Sequence, residues 1–371
     1  MKKAIIIGAG VTGVACAYVL NKLNFKVKLI EAASSPGGGV WTRFHGGHPF
    51  TFGPRIFFTP DEEVINFTTN LIKIREFDTI TWTYVEEDDQ MYHYPLQYSD
   101  IDLMPDSETI KMQLEKINKD KSKISSENFE SYWISAIGDN LYQKFVNDYS
   151  KKMWGIEDNR QLSANFEWVN RGIPIRDGDI RLYQDQFQGY PEAMDGFNSF
   201  FLKCLEGIDV DYNRAVTRID PETSEIYTHD GEKHTADVVV NTVIVDQLFD
   251  NVFGTLEHIG RDFFPIWLPV EYSMPEDVTW IHYSGKESYT RVTEFKKITN
   301  YKSKNTLLGL EVPSTRGRYY PVQSQPEIHR YNQYKELFPK NLYSLGRLGK
   351  FKYQGIPDGI RDAIDLGESV K

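Results

Sequence analysis

Ala4-Ile5-Ile6-Ile7-Gly8-Ala9-Gly10-Val11-Thr12-Gly13 runs from an apolar, mostly β-branched segment straight into three spaced glycines. Such a segment predicts a strand buried on both faces. Val14, Tyr18, Val19 and Leu23 then mark a helix, and residues 25–30 predict a second strand ending in Glu31. Strand, G-x-G-x-x-G, helix, strand and acid together make the dinucleotide-binding fingerprint. Gly8 permits the tight turn, Gly10 lets the backbone approach a pyrophosphate, and Gly13 lets the helix pack close to the strand. The helix N-terminus attracts the phosphate charge. Glu31, 18 residues beyond Gly13, is placed to accept hydrogen bonds from ribose hydroxyls.

A second glycine cluster follows at once, in Ser35-Pro36-Gly37-Gly38-Gly39-Val40-Trp41-Thr42. It reads either as an ordinary glycine-rich loop or as backbone cleared for a long, extended cofactor. An acid followed within a few residues by Gly-Gly resembles the FAD-binding start of the glutathione-reductase-like flavoproteins.

Composition narrows the field. The chain has 371 residues with 42 basic and 53 acidic side chains, a formal net charge of −11, which argues against a general nucleic-acid binder. With 40% hydrophobic residues it can build a core, and its length suits two or three lobes. Two cysteines, Cys16 and Cys204, are too few for a disulfide scaffold and fit a cytoplasmic protein. No apolar run approaches the ~20 residues of a membrane span. The short run at residues 4–7 reads as a strand rather than a signal peptide. His45, His48 and His93 lack metal-ligand spacing.

Further along, helices are predicted at residues 60–74, 107–123 and 129–154, and from Asp358 onward. Strands and turns are predicted across 210–234, 236–240, 280–296 and 306–312. Phe145 and Tyr149, four apart, should share one helical face.

Several segments then resemble the UDP-galactopyranose mutase family. Tyr94-Pro95-Leu96-Gln97 is similar to its Pro-Phe-Asn segment, and Lys151-Lys152-Met153-Trp154-Gly155 to its Lys-Gln-Trp-Gly. Phe187-Gln188-Gly189-Tyr190-Pro191 is similar to Tyr-Gln-Gly-x-Pro, and Tyr289-Thr290-Arg291-Val292-Thr293-Glu294-Phe295-Lys296 to Tyr-Thr-Arg-x-x-Glu-x-Lys. Tyr319-Tyr320-Pro321-Val322 and Gly346-Arg347-Leu348 complete the set. Each is short, but they occur in family order over nearly the whole chain. The resemblance implies an α/β fold with a Rossmann-like, glutathione-reductase-type FAD domain at residues 1–59, 190–258 and 320–371. It also implies an inserted helical domain at 60–165 and an antiparallel β-sheet substrate domain at 166–189 and 259–319.

The activity implied is isomerisation of a nucleotide-diphosphate sugar between pyranose and furanose, UDP- or dTDP-linked, for surface polysaccharide synthesis. Reduced FAD acts there through its N5 as a nucleophile at the anomeric carbon, without net redox. Implied partners are the nucleotide sugar, with no nucleic acid and no membrane insertion; a homodimer stays open. The implied cofactor residues are Gly8, Gly10, Val11, Thr12, Gly13, Glu31, Ala32, Gly38, Gly39, Val216, Gly346 and Arg347. Arg171 and Arg291 align with the arginines that clamp the diphosphate, with Arg176 competing for the first place. Phe145, Tyr149, Trp154, Gln97, Tyr183, Tyr320 and Tyr353 fall on substrate-lining positions.

The pocket around the sugar departs from the family. Its Gly-Ala-His-x-Phe-His-Thr appears as Gly53-Pro54-Arg55-Ile56-Phe57-Phe58-Thr59, so both histidines are gone and Arg55 stands in the first place. Arg55 would either favour electron-rich reduced flavin, bind an unusual sugar, or form a plain salt bridge. The arginine of the family's Leu-Glu-Tyr-Arg falls near Ile259. Two rival readings stay open at this point. One is a flavin oxidoreductase of the amine-oxidase or desaturase type, since fold does not fix chemistry. The other is a non-catalytic nucleotide-sugar-binding relative.

Overall fold

The apolar strand Lys3–Ile7 lies at the centre of a five-stranded parallel sheet. The strand order is Asp209–Asp211, Lys26–Ile30, Lys3–Ile7, Val238–Asn241 and Leu342–Ser344. Ile5, Ile6, Ile7, Val239 and Val240 are buried, as strands covered on both faces require. The helix Val11–Lys22 covers one face beside the C-terminal helix Ile356–Ser369. Val14, Ala17 and Leu20 meet Ile360, Ala363 and Leu366 there in one core. The computed structural model describes residues 1–119, 124, 125, 127–164, 166 and 175–371. Among the described residues no helix is long and apolar enough to cross a membrane.

The second large unit is a seven-stranded sheet. Its order is Tyr320–Pro321, His258–Leu268, Thr306–Ser314, Arg291–Glu294, Val278–Tyr283, Ile80–Val85 and Gln90–Tyr94. The last two strands lie inside the segment expected to form a helical domain. Ile80-Thr81-Trp82-Thr83-Tyr84-Val85 buries alternate residues, the period of a half-covered strand, and that outweighs its helical neighbours. Ile80–Val85 pairs in parallel with Val278–Tyr283, so this sheet is mixed rather than wholly antiparallel. Tyr320–Pro321, expected in the cofactor domain, pairs with His258–Ile259 at the sheet's other edge.

Against this sheet pack the helices Ser107–Lys119, Phe129–Ile137, Asp139–Tyr142 and Asp148–Trp154, with a π-turn at Gln143–Asn147. Their shared core is aromatic: Trp133, Tyr142, Phe145, Trp154 and Phe166 are buried together. The helix predicted over 60–74 is shorter, Glu62–Thr69, capped by Asp61, and its tail becomes the strand Ile74–Glu76.

Candidate active site

The cofactor cradle is built from backbone. Gly8 has φ +96, and a Cβ there would fall 2.6 Å from Thr242 Oγ1. A Cβ on Gly13 would fall 1.9 Å from the Gly8 carbonyl oxygen, so helix and strand approach this closely only with glycine. A Cβ on Gly10, by contrast, would meet nothing within 4 Å. Gly10 N-caps the helix opening at Val11, and no side chain caps that end. The open side of the turn is therefore the side a pyrophosphate needs, and the residues present fit an extended dinucleotide.

Glu31 accepts from the Ala9 N–H at 2.6 Å and the Ala33 N–H at 2.7 Å, so it ties the turn to the strand end. The Gly37 N–H donates to the Ala9 carbonyl at 2.7 Å and draws the second glycine cluster over the first. Gly38 and Gly39 begin a short 3-10 turn, Gly38–Val40. Thr12 turns its hydroxyl towards the backbone of Gly346 and Gly359, a packing position. Ala32 is exposed just past Glu31. Val216 is half-buried and opens the strand Val216–Ile219, two residues after Arg214, whose N–H donates to the Glu31 carbonyl at 2.9 Å.

The second region is a row of side chains across the mixed sheet. Tyr92 lies opposite Thr83, Thr83 opposite His282, His282 opposite Arg291, and Arg291 opposite Glu311. Directly opposed residues share a sheet face, so these five line one surface. Arg291 donates from Nε to Glu311 Oε1 at 2.7 Å and from a terminal nitrogen to Oε2 at 2.8 Å. A guanidinium has five N–H groups, so this fork leaves its outer edge for another anion. The Arg291 side chain keeps 21% of its surface accessible against 5% for Glu311, which puts Arg291 on the pocket side. Burial works against the charge of both. The pairing wins: it holds Glu311 below its ordinary pKa and Arg291 above its own.

Beside that pair lies Tyr320. The Arg347 guanidinium sits 4.6 Å and the Arg261 guanidinium 4.8 Å from its ring centroid, and Tyr353 stacks on it at 6.0 Å. Burial pushes the phenol pKa up, but Arg55, Arg347 and Arg261 pull it down to about 7. Arg55 donates to the Gly39 carbonyl at 3.4 Å and so bridges from the glycine cluster to this group. Trp154 closes the cluster, its ring 6.4 Å from that of Tyr353. Arg347 also braces the Gln354 carbonyl, from Nε at 2.9 Å.

Arg291, Arg55, Tyr149, Trp154, Tyr320, Tyr353 and Arg347 thus come together. Other expected residues are placed differently. Gln97 is buried, with its amide donating to the Pro95 and Asp179 carbonyls, a loop anchor. Phe145 packs in the helical core against Tyr92. Tyr183 stacks on Phe58 at 3.8 Å. Arg176 donates to the Arg181 carbonyl at 2.5 Å and thereby braces a loop. Arg171 lies outside the described residues. Sequence reasoning missed His282, Trp280, Glu311 and Arg261. Arg261 stands two residues beyond Ile259 on one strand, hence on the same face, and donates to the Met153 carbonyl at 2.8 Å. Strand alternation from Ile259 was the available signal.

A model of the UDP-galactopyranose mutase family matches residues 144–353, and one of NAD(P)-binding Rossmann-like domains matches residues 6–71. The dTDP-fucopyranose mutase of Escherichia coli is 28% identical, over 99% of this chain and 98% of its own. A Klebsiella pneumoniae protein named as a probable UDP-galactopyranose mutase is 25% identical over 99% of this chain and 94% of its own. The crystal structure of a reduced UDP-galactopyranose mutase superposes with a TM-score of 0.83 at 17% identity, covering 100% of this chain and 95% of the other.

Proposed function

The chain belongs to the UDP-galactopyranose mutase family, and from that premise we propose that it is a flavin-dependent isomerase. It interconverts the pyranose and furanose forms of a nucleotide-diphosphate sugar, UDP- or dTDP-linked. The observation that supports this reading most is the charge of the pocket. Arg55, Arg261, Arg291 and Arg347 gather around Tyr320 and Glu311 in a chain of net charge −11. So local a cationic surplus in an acidic protein suits a diphosphate.

FAD is the cofactor, taken by the Gly8–Gly13 turn, Glu31 and the Gly37–Gly39 loop; reduced, it supplies an electron-rich nucleophile for the anomeric carbon. The side chains do the rest. Glu311 holds Arg291 side-on, so its outer N–H groups meet a phosphate without reorganising. Charge on the departing diphosphate grows as the anomeric bond breaks, and a fixed guanidinium gains most at that point. Tyr320, Tyr353 and Trp154 wall the pocket with rings and keep bulk water from the opened sugar. The reading places the enzyme in the cytoplasm with no nucleic-acid partner.

The test is incubation of dithionite-reduced, FAD-loaded protein with a panel of UDP- and dTDP-sugars, followed by NMR. Furanose product without consumption of reductant is expected. Loss of reductant in step with product would favour an oxidoreductase instead.

A further inference from the structure

Asp362 lies outside every motif that the sequence singles out, on the C-terminal helix Ile356–Ser369, and is buried. Its carboxylate collects three donors from one loop. Oδ2 takes the Gly346 N–H at 2.9 Å and the Gln354 side-chain amide at 3.3 Å, and Oδ1 takes the Lys350 ammonium at 2.5 Å. Those donors stand at the start, the middle and the end of the stretch 346–354. Its start is also wedged against the helix that follows the glycine turn. Gly346 has φ +73, and Cβ atoms on Gly346 and Gly359 would fall 2.9 Å and 2.5 Å from Thr12 Oγ1. Within the closed loop, Arg347 donates to the Gln354 carbonyl from Nε at 2.9 Å and from a terminal nitrogen at 2.5 Å. The guanidinium so held lies 4.6 Å from the Tyr320 ring centroid and 5.0 Å from that of Tyr353. Asp362 reaches Arg347 through the loop, by way of Gly346 and Gln354.

We propose that Asp362 is a positioning residue for the pocket: by closing the 346–354 loop at three points, it sets the Arg347 guanidinium over the Tyr320 ring. The geometry stands without a ligand; its bearing on a diphosphate rests on the mutase reading above. A carboxylate suits the task because both oxygens only accept, and each can take more than one donor. Asn keeps one such oxygen. The Gly346 and Gln354 donors share Oδ2, so Asp362→Asn can keep both and release only Lys350. The Lys350 side chain is 37% exposed and can turn to water. Ala keeps none of the three.

Tyr320 reports where Arg347 stands, because Arg55, Arg347 and Arg261 favour its phenolate while burial and Glu311 oppose it. The experiment is a pH titration of Tyr320 in FAD-loaded protein, by NMR of tyrosine labelled at the ring Cζ, with Tyr320→Phe to assign the signal. The sign of the effect decides. Removing the Asp362 carboxylate takes away a negative charge and leaves Lys350 unpaired, and both by themselves would make the phenol more acidic. Displacing Arg347 makes it less acidic. Asp362→Ala should therefore lower the Tyr320 acid constant about tenfold, the scale of one cation withdrawn from close approach. In an Arg347→Met background it should lower the constant no further. Asp362→Asn should stay within about threefold of wild type. If Asp362→Ala does not fold, Gln354→Leu cuts one tie with Asp362 in place, and should lower the constant about threefold. A constant that rises or stays unchanged in Asp362→Ala, or that falls equally in the Arg347→Met background, would overturn the assignment; so would an unmoved constant in Gln354→Leu. A general loss of stability lowers the melting temperature without moving the constant in this direction. No nucleotide sugar enters the measurement, so failure of the mutase reading would show separately, as absent furanose product, and leave this result standing.

Discussion

Around Gly8, Gly10 and Gly13 the binding surface is backbone: what matters is where no side chain stands, and the residues involved lie within one turn of chain. Across the mixed sheet the binding surface is side chain. Arg55, Arg261, Arg291, Glu311, Tyr320 and Arg347 come from six separate stretches: strand register brings four of them together, while Arg55 arrives on a loop and Arg347 on the short helix Gly346–Gly349. The first region cannot vary without losing the approach between helix and strand. The second can exchange one cation for another while keeping its surplus of positive charge, as Arg55 in place of a family histidine suggests. A fold can therefore keep its cofactor while its substrate pocket drifts.

The sharpest way to break that contrast is at the glycines. Gly13→Ala puts a Cβ 1.9 Å from the Gly8 carbonyl oxygen, a backbone atom that cannot swing away. It should cost on the order of 4 kcal/mol or more, with loss of FAD and of the cooperative melt. Gly10 has room, with nothing within 4 Å of its Cβ position. Gly10→Trp should therefore fold, with a melting temperature near that of the apo wild type, but purify colourless because the indole fills the pyrophosphate's place. A yellow Gly10→Trp protein would show that the open side of the turn is not the cofactor's.

Arg291 probes the side-chain region. A charge-assisted bond to phosphate is worth ~1.5–3 kcal/mol, so Arg291→Ala should weaken nucleotide-sugar binding about tenfold to a hundredfold. Turnover should fall further. Arg291→Lys should recover part, having the charge without the fork. The substitution also strands Glu311, a buried carboxylate that now holds Arg291 through two bonds. Arg291→Ala should thus lose about 3–5 kcal/mol of stability, and adding Glu311→Gln should restore most of it while affinity stays low. FAD content near wild type in the double variant would confirm that the two regions fail separately. Unchanged affinity for UDP- and dTDP-sugars in folded Arg291→Ala would refute its role at the diphosphate.

The same contrast governs what a reader of the sequence can see. Gly8 to Glu31 is legible because most of its constraint is local: Gly13 answers to Gly8 and Glu31 to Ala9 and Ala33, and only the Thr242 contact of Gly8 reaches it from a distant stretch. Arg291 was found through a well-matched block around it, yet its partner Glu311, twenty residues on, was not. That pairing depends on how Arg291–Glu294 registers against Thr306–Ser314. Ile80–Val85 showed strand alternation but was absorbed into a helical segment, and with it went the row through Thr83 that places His282. Gln97 matched a family position yet serves a loop, because a short segment match carries no information about where a side chain points.

The smallest expected effect concerns Tyr320, where the two regions touch. Its pKa, brought down to about 7 by Arg55, Arg347 and Arg261 against the cost of burial, leaves the phenol partly ionised near neutrality in the free protein. A bound diphosphate neutralises those arginines and adds negative charge of its own, both of which favour the protonated phenol. Its pKa should therefore rise on binding, and the complex should take up protons. By linkage, affinity falls as pH climbs above the free-protein value of about 7, at most tenfold per pH unit, and is flat below it. A nucleotide sugar is the right probe, since its diphosphate diester does not titrate in this range. Calorimetry of FAD-loaded protein should show a loss of about three- to tenfold between roughly pH 6.5 and 8.5, with proton uptake visible in buffers of different ionisation enthalpy. Tyr320→Phe should remove that slope while keeping the affinity seen at low pH to within a few-fold. If the slope persists in Tyr320→Phe, the titrating group lies elsewhere; if wild-type affinity instead rises with pH, the arginines around Tyr320 are not the surface that meets the diphosphate.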